Sequence, residues 1–377
     1  MTASSLIPIA ALSGSALFKL IKVGNILLQH RVVLAPMTRL RNDQNHVPTD
    51  LVREHYIQRA TPGGLLITEA TMISPMAGGV PHAPGIYTKE QIEGWKKVTS
   101  AIHDKQGYIY LQLWHIGRGT SSKFLPNGAL PVSASAIAIK DKNMLGDDYE
   151  VPRPLAIDEI KETVKDYAQA AKNAMEAGFD GVEIHGANGY LIDQFINTSS
   201  NKRTDEYGGS IENRARFAIE VVDAVVDAVG PERTGIRLSP WSNYLDMKDE
   251  TPYDTWGYIV SKIQERHPNL AYVHFVEPRN DEGETAEKKD SLDPFRAIWK
   301  GKFISADGYT AYPERAAKIA DETGNLVAFG RIFTSNPDLV QRLKNGWSLR
   351  KYDRETFYGG NHVGYTDYPV YSPEVKA

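Results

Sequence analysis

Short apolar and β-branched runs recur eight times along the chain, and a segment with helical periodicity follows each of them. The predicted strands are 31–36, 65–70, 108–115, 181–185, 234–240, 272–277, 303–307 and 326–330. The predicted helices are 50–60, 89–106, 157–178, 211–229, 252–266, 293–300, 311–323 and 337–345, and Ser210 is the predicted N-cap of the fourth. An eightfold alternation of strand and helix predicts an α/β fold, a single (β/α)8 TIM barrel that covers residues 1–377.

An open, doubly wound sheet is the alternative arrangement of the same elements. Such a sheet would bind a dinucleotide through a Gly-x-Gly-x-x-Gly turn, and the sequence contains no such motif. A Walker-type phosphate loop and a His-Glu-x-x-His motif are also absent from the sequence. A length of 377 residues fits one large barrel or two ordinary domains. The number of strands therefore decides in favour of the barrel.

Two connections are too long for simple turns, and both would lie on the face where barrel enzymes keep their active sites. Residues 116–156 follow the third strand and are predicted to be a lid insertion, with a small hairpin within 132–137. Residues 278–290 follow the sixth strand, are charged and lack apolar anchors, so they are predicted to be a second lid and a mobile loop. The run Val23-Gly-Asn-Ile predicts an N-terminal hairpin that plugs the bottom of the barrel.

Charge and composition exclude several classes of function. The net charge is -4, and no basic stripe is present, so we expect no nucleic-acid partner. No apolar run reaches the length of a membrane span and the N-terminus lacks a secretory pattern, so we expect no membrane association and a cytoplasmic location. The chain has no cysteine, which excludes disulfides, thiolate metal ligands and cysteine nucleophiles. We expect no metal site.

Polar side chains cluster at the predicted carboxyl end of strand four. The run Gly-Val-Glu-Ile-His-Gly-Ala-Asn-Gly-Tyr brings His185, Asn188 and Tyr190 close together. His185 and Asn188 can both donate a hydrogen bond to one electronegative atom, and the phenol of Tyr190 can deliver a proton nearby. A lone buried histidine is more often structural, but the tight spacing of all three favours a site that polarises a carbonyl or nitro group.

Other strand ends offer groups that suit a large ligand. Gln112 and Arg237 lie among apolar neighbours and need polar partners, which a structural group or a ligand could supply. Glycines and an arginine after strands seven and eight fit a phosphate site, although plain turns explain the glycines equally well. With a hydroxyl at Thr38, these groups suit a flat heterocycle with a phosphate tail, such as flavin mononucleotide. Arg237 would stabilise the anion of a reduced flavin.

With these residues, the chain resembles the Old Yellow Enzyme family of ene-reductases, in the branch of the plant 12-oxophytodienoate reductases and the yeast enzymes. The resemblance runs almost from end to end. The motifs that carry it are Leu34-Ala-Pro-Met-Thr-Arg39, Leu111-Gln-Leu-Trp114, His185-Gly-Ala-Asn-Gly-Tyr190, Asp193-Gln-Phe195, Arg203-Thr-Asp-Glu-Tyr-Gly-Gly-Ser210, Asn213-Arg214, Phe329-Gly-Arg331, Asn336-Pro-Asp-Leu339 and Thr356-Phe-Tyr358.

The resemblance implies a tightly bound, non-covalent FMN. The residues that would contact its ring are Pro36, Met37, Thr38, Ala70, Gln112 and Arg237, with Phe357 and Tyr358 at its border. Its phosphate would be held by Gly308, Gly330 and Arg331. The turn after strand seven here contains Asp307-Gly308, where many members of the family have Gly-Asn or Gly-Gly.

The resemblance also implies the reaction. NAD(P)H, with NADPH favoured, would reduce FMN and leave, and a hydride would then pass from FMN to the β-carbon of an enone, enal or nitroalkene. His185 and Asn188 would bind the oxygen of this small-molecule substrate, Trp114 and Tyr358 would line the substrate side, and Tyr190 would protonate the α-carbon. We expect a monomer or a homodimer.

Three alternative functions remain to be weighed. A flavin-dependent isomerase or reductase of an unsaturated aldehyde, as in the ergot-alkaloid pathways of fungi, can carry phenylalanine at the position of Tyr190, so the tyrosine favours net reduction. A flavin-free lyase or aldolase would need a Schiff-base lysine or metal-binding carboxylates, which the strand ends lack. A non-catalytic flavin-binding protein would not need the intact proton donor.

Overall fold

The computed structural model describes residues 6–278, 290–309 and 312–373. Eight parallel strands form a closed barrel in which each strand pairs with the next and β8 pairs with β1. They are β1 (Val32–Leu34), β2 (Leu65–Ile67), β3 (Tyr108–Trp114), β4 (Gly181–Gly186), β5 (Thr234–Leu238), β6 (Tyr272–Val276), β7 (Phe303–Ala306) and β8 (Leu326–Phe329). The predicted (β/α)8 barrel is confirmed.

Helices surround the barrel, and all eight predicted helices are present. They are α1 (Asp50–Arg59), α2 (Lys89–Asp104), α3 (Ile157–Glu176), α5 (Ile211–Val229), α6 (Pro252–Arg266), α7 (Asp293–Ile298), α8 (Pro313–Thr323) and α10 (Leu339–Asn345). The short helices α4 (Leu191–Ile196) and α9 (Arg331–Ser335) were not predicted. Ser210 caps α5 as expected, because its hydroxyl accepts from the N–H of Asn213 at 3.3 Å.

The bottom of the barrel is closed by apolar side chains. The strands Ile21–Val23 and Ile26–Leu28 pair antiparallel, which confirms the N-terminal hairpin. Its alternate residues Ile21, Val23, Ile26 and Leu28 are buried in one cluster with inner side chains of the barrel such as Val33 and Ile304. The same layer also holds two tyrosine rings, and glycines on the neighbouring strands leave the space for them. A Cβ on Gly181 or Gly235 would come within 2.4 or 2.5 Å of the ring of Tyr110 or Tyr272.

The connection between β3 and α3 differs from its predicted local structure. Val132–Ser133 pairs in parallel with Arg153–Pro154, so the predicted small hairpin within 132–137 is wrong. The physical reason is tertiary, because Val132 is buried in the core and the Ser133 hydroxyl donates to Gln194 of α4 at 2.9 Å. Three 3-10 turns, Gly117–Gly119, Ser122–Phe124 and Pro126–Gly128, fill much of the rest of this insertion.

Further short elements lie at the edges of the barrel. Thr71–Met72 pairs with β3, and Leu6–Ile7 pairs with Leu349–Arg350. The remaining 3-10 turns are Ala16–Phe18, Pro75–Ala77, Pro231–Arg233, Tyr244–Asp246 and Arg354–Thr356. The predicted mobile loop at 278–290 lies outside the described residues except at its two ends. Within the described ranges, no helix has both the length and the apolar character needed to cross a membrane.

His30, just before β1, makes stability depend on pH. Burial lowers the pKa of its imidazole from 6.5 to about 4, and its Nε2 lies 2.8 Å from the Thr61 hydroxyl. Between these two pKa values the unfolded chain binds a proton on His30 and the folded protein does not. The stabilisation that is fully present above pH 6.5 is therefore lost as the pH falls towards about 4.

We expect the His30→Gln variant to lack this pH-dependent contribution. The difference in unfolding free energy between the wild type and this variant should shrink by on the order of 2 kcal/mol between neutral pH and about pH 4.5. Urea unfolding at the two pH values measures the difference. A difference that stays constant with pH would show that the imidazole titrates normally in the folded protein.

Candidate active site

Two neighbouring cavities open at the carboxyl ends of the barrel strands. We call the first the guanidinium cavity; its volume is about 210 Å³, and it is lined by residues that include Pro36, Met37, Asn188, Arg237, Gly330 and Arg331. The second, the aromatic cavity, has a volume of about 200 Å³ and is lined by residues that include Thr38, Trp114, Tyr190 and Tyr358. Residues adjacent in sequence separate the two, since Met37 faces one and Thr38 the other.

The aromatic cavity is formed largely by the lid insertion. Phe124, Met144 and Tyr149 of the insertion line it, together with Tyr244 and Leu245 from the segment after β5. Sequence reasoning had predicted the insertion but not these contacts. Among the described residues that line this cavity, none is charged. The cavity therefore suits a neutral molecule with apolar surface.

His185, Tyr190 and Trp114 pack against one another as an aromatic wall. Trp114 and Tyr190 line the aromatic cavity, whereas the buried His185 lines neither cavity. The ring centroids of His185 and Tyr190 are 4.8 Å apart, and those of Trp114 and Tyr190 are 5.2 Å apart, both in edge-to-face geometry. Two buried nitrogens of this wall, Nδ1 of His185 and Nε1 of Trp114, have no hydrogen-bond partner among the residues described. Because a buried polar atom without a partner is costly, these nitrogens indicate a place for a ligand.

Burial fixes the protonation states of the two titratable groups in this wall. Burial, and then the charge of Arg237, keep the pKa of His185 well below 6.5, so the imidazole is neutral. Burial raises the pKa of the Tyr190 phenol well above its usual value of 10.0. Tyr190 therefore carries its proton at neutral pH. A neutral imidazole and a protonated phenol side by side can both donate a hydrogen bond to a bound oxygen, and the phenol also carries a proton that it can transfer.

Gln112 belongs to a buried polar network inside the barrel. Its Nε2 donates to Oε1 of Glu183 at 2.8 Å, and Oε2 of Glu183 lies 2.8 Å from Nδ1 of His274. Burial alone would raise the pKa of Glu183, but His274, Arg237 and the bond from Gln112 bring it below its usual value. The network orients the amide, with its NH2 towards Glu183 and its oxygen away from it. The sequence indicated that Gln112 needs a partner but not which one.

The other predicted residues are placed as follows. Ala70 is buried and lines neither cavity. Phe357 lies outside both, 5.9 Å from the guanidinium of Arg39. Gly308 also lies outside the lining, and its N–H is bound by the side chain of Asp307 at 3.0 Å. Asp307, to which the sequence assigned no role of its own, lines the guanidinium cavity and has a φ of 82°.

Comparison with known proteins gives a consistent picture over nearly the whole chain. Residues 16–350 match the NADH:flavin oxidoreductase / NADH oxidase family. Flavin oxidoreductase hxnT of Emericella nidulans is 49% identical over 379 residues, which cover 94% of this chain and 97% of the relative. The 12-oxophytodienoate reductase 1 of Oryza sativa subsp. japonica is 49% identical over 96% of this chain and 94% of its own length.

A solved structure agrees with the sequence comparisons. Morphinone reductase superposes with a TM-score of 0.89 at 42% sequence identity, covering 98% of this chain and all of its own. The fold is therefore shared with morphinone reductase, and close to half of the residues are identical in each of these relatives. This chain belongs to the NADH:flavin oxidoreductase / NADH oxidase family, the Old Yellow Enzyme family that its motifs resemble.

Proposed function

We propose that this protein is an FMN-dependent ene-reductase that uses NAD(P)H to reduce the carbon–carbon double bond of α,β-unsaturated carbonyl or nitro compounds. One observation carries the proposal. A neutral His185 with an unpartnered buried nitrogen lies against a protonated Tyr190, which lines an uncharged cavity next to a second cavity that contains two guanidinium groups. Membership of a flavin oxidoreductase family gives this arrangement its cofactor.

The residues present fit FMN. The guanidinium cavity offers Arg237 and Arg331 to an anionic group and the apolar side chains of Pro36 and Met37 to a flat ring. The oriented oxygen of Gln112 is a hydrogen-bond acceptor, which an N–H of a heterocycle can use. In this proposal Arg331 would hold the phosphate, and Arg237 and Thr38 would hold the ring.

Bound FMN would supply two-electron chemistry, accepting a hydride from a reduced nicotinamide and giving it to the β-carbon of the alkene. His185 and Asn188 bind the oxygen of the substrate and stabilise the negative charge that develops on it, a contribution of about 3 kcal/mol for each donor by analogy with oxyanion holes. The Ser239 hydroxyl accepts from the main-chain N–H of Asn188 at 2.7 Å, and this fixed backbone supports the proposed role of the carboxamide.

Tyr190 acts as the general acid that protonates the α-carbon. Its high pKa is compatible with this role, because the acceptor is a strongly basic carbon centre and the phenol must stay protonated until that centre forms. The alternative reaction, isomerisation of an unsaturated aldehyde, has no specific feature of the cavity in its favour.

The substrates we propose are neutral enones, enals and nitroalkenes. Two relatives act, by their names, on 12-oxophytodienoate and on morphinone. The uncharged, aromatic lining of the cavity supports a ring-bearing, apolar acceptor rather than an ionic one. We further propose NADPH as the favoured reductant, a single catalytic barrel domain over 1–377 that works as a monomer or homodimer, and a cytoplasmic location.

Titration of the apoprotein with FMN tests the cofactor directly. We expect saturable binding with a stoichiometry of one and a flavin absorbance spectrum that differs from that of free FMN. Anaerobic mixing with NADPH or NADH should bleach this spectrum, faster with NADPH, and an enone or nitroalkene should restore it. Absence of FMN binding would refute the proposal outright, and bleaching that no alkene reverses would refute the ene-reductase assignment alone.

A further inference from the structure

Two neighbouring side chains of α4 bind the main chain of the turn 187–190, which we call the catalytic turn. Oδ2 of Asp193 accepts from the N–H of Gly189 at 2.8 Å. Nε2 of Gln194 donates to the carbonyl oxygen of the same glycine, also at 2.8 Å. Both polar main-chain groups of the residue between Asn188 and Tyr190 are therefore held from one helix.

The catalytic turn needs such support because its backbone is in an unfavourable conformation. Asn188 and Gly189 have φ values of 56° and 75°, so two consecutive residues are left-handed. Glycine is required at 189 for a second reason, since a Cβ there would come within 2.7 Å of the carbonyl oxygen of Tyr244. Strained backbone persists where its surroundings over-determine it, and here the side chains of α4 supply that constraint.

Burying the carboxylate of Asp193 at this position costs free energy. It is completely buried, and within the described part of the chain no cationic side chain lies within ion-pair distance of it. Besides Gly189, its carboxylate accepts from Nδ2 of Asn197 at 2.8 Å. Burial raises the pKa of Asp193 to about 7. A carboxyl group buried at this cost, with one oxygen bound to the main chain of the catalytic turn and the other to Asn197, indicates a role in positioning rather than in stability.

Gln194 also joins the catalytic turn to the lid insertion. Its Oε1 accepts from the N–H of Arg118 at 3.2 Å and from the hydroxyl of Ser133 at 2.9 Å, and its Nε2 also donates to the carbonyl of Ile116 at 3.1 Å. The lid is shaped around this amide, because Gly117 has a φ of 64° and a Cβ on it would lie 2.2 Å from Oε1 of Gln194. One fully buried side chain therefore contacts both the catalytic turn and the lid.

We propose that Asp193 and Gln194 are positioning residues for alkene reduction. They hold Gly189 so that Asn188 and Tyr190 are correctly oriented towards the substrate, and Gln194 links this orientation to the conformation of the lid insertion. The inference rests on the proposed function, because it assigns Tyr190 the proton transfer. Neither residue touches the reacting atoms in this account. Their effect should therefore appear where the geometry of Tyr190 matters and vanish where it does not.

The test compares two acceptors in each variant. An enone needs a proton on carbon, whereas a quinone takes up two electrons and is protonated on oxygen, so its reduction does not need Tyr190. We expect Gln194→Met to lower kcat for the enone about tenfold to a hundredfold, with quinone reduction and FMN affinity unchanged, as for a misplacement of a catalytic group by about 1 Å. Gln169→Met, on the exposed face of α3, is the matched control and should change neither rate.

Asp193 provides a test by conservative rescue. Asparagine keeps an oxygen for the N–H of Gly189, whereas alanine removes it, so Asp193→Asn should retain most enone reduction and Asp193→Ala should lose it about as Gln194→Met does. If Gln194→Met or Asp193→Ala does not fold, Ser133→Ala removes one lid contact of Gln194 and should still lower the enone rate more than the quinone rate.

The outcomes separate the two proposals. Equal losses for enone and quinone, or full enone activity in folded Gln194→Met and Asp193→Ala, would overturn the positioning role alone. A wild-type protein that binds FMN and reduces the quinone but no enone would overturn the proposed function, and the positioning role with it.

Discussion

Replacing Tyr190 by phenylalanine is expected to slow alkene reduction by about a hundredfold or more and to leave reduction of the bound FMN by the nicotinamide within about twofold. The substitution removes only the phenolic proton donor. The ring that packs edge to face on His185 and Trp114 remains, so the cavity keeps its shape. Anaerobic stopped-flow measurement of each half-reaction separates the two rates.

A matched control for this variant is available in the same cavity. Tyr244→Phe also removes a phenol from the lining, but Tyr244 is 56% exposed, whereas Tyr190 packs on His185 and Trp114. We expect it to leave reduction of FMN unchanged and to slow alkene reduction far less than Tyr190→Phe does, because Tyr244 lines the cavity without serving as the proton donor. Equal slowing of both half-reactions by Tyr190→Phe would contradict the role of Tyr190 as the proton donor and would point to a defect in FMN binding.

Replacing His185 by leucine is expected to lower kcat/KM for alkene reduction by about 10²- to 10³-fold. Leucine fills a similar volume but cannot donate a hydrogen bond to the oxygen of the substrate. His185→Asn restores a donor at this position and should recover much of the lost rate. Steady-state kinetics of the three proteins with one enone, at saturating reductant, measure the effect.

The pH dependence gives an independent check on His185. Because burial keeps the pKa of this imidazole well below 6.5, it stays neutral as the pH falls from 7 to about 5.5. Its protonation should therefore not lower the rate of alkene reduction in this interval. A loss of rate with an apparent pKa near 6.5 that disappears in His185→Asn would show that the imidazole is not shielded as the structure indicates.

The barrel and the core of the site follow from local patterns. Each strand and its helix carry their own periodicity, and eight repetitions leave few folds to choose from. The motif from His185 to Tyr190 could be recognised because its members are close in sequence and turn where a strand ends. Short elements escaped prediction, since α4 and α9 contain six and five residues, too few for a helical period to be visible.

Contacts between distant parts of the chain could not be predicted. Glu183 and His274 are 91 residues apart, and only the barrel register brings them together beneath Gln112. The lid residues Met144 and Tyr149 reach the cavity for a similar reason, because tertiary bonds fix the insertion. One of these hydrogen bonds runs from the guanidinium of Arg118 to the carbonyl oxygen of Leu245 at 2.9 Å. A sequence pattern carries no information about such pairings.

The packed bottom of the barrel determines the order in which ligands can bind and leave. Tyrosine rings and the N-terminal hairpin fill its lower half. In the part of the chain that the structure describes, a ligand therefore enters and leaves at the upper rim. In the proposed reaction an electron donor and an electron acceptor both need the face beside Tyr190, so they would have to bind there one after the other. Under the proposed function, the protein would have to hold the two electrons between these binding events, which is a reason for a bound electron carrier rather than direct exchange between donor and acceptor.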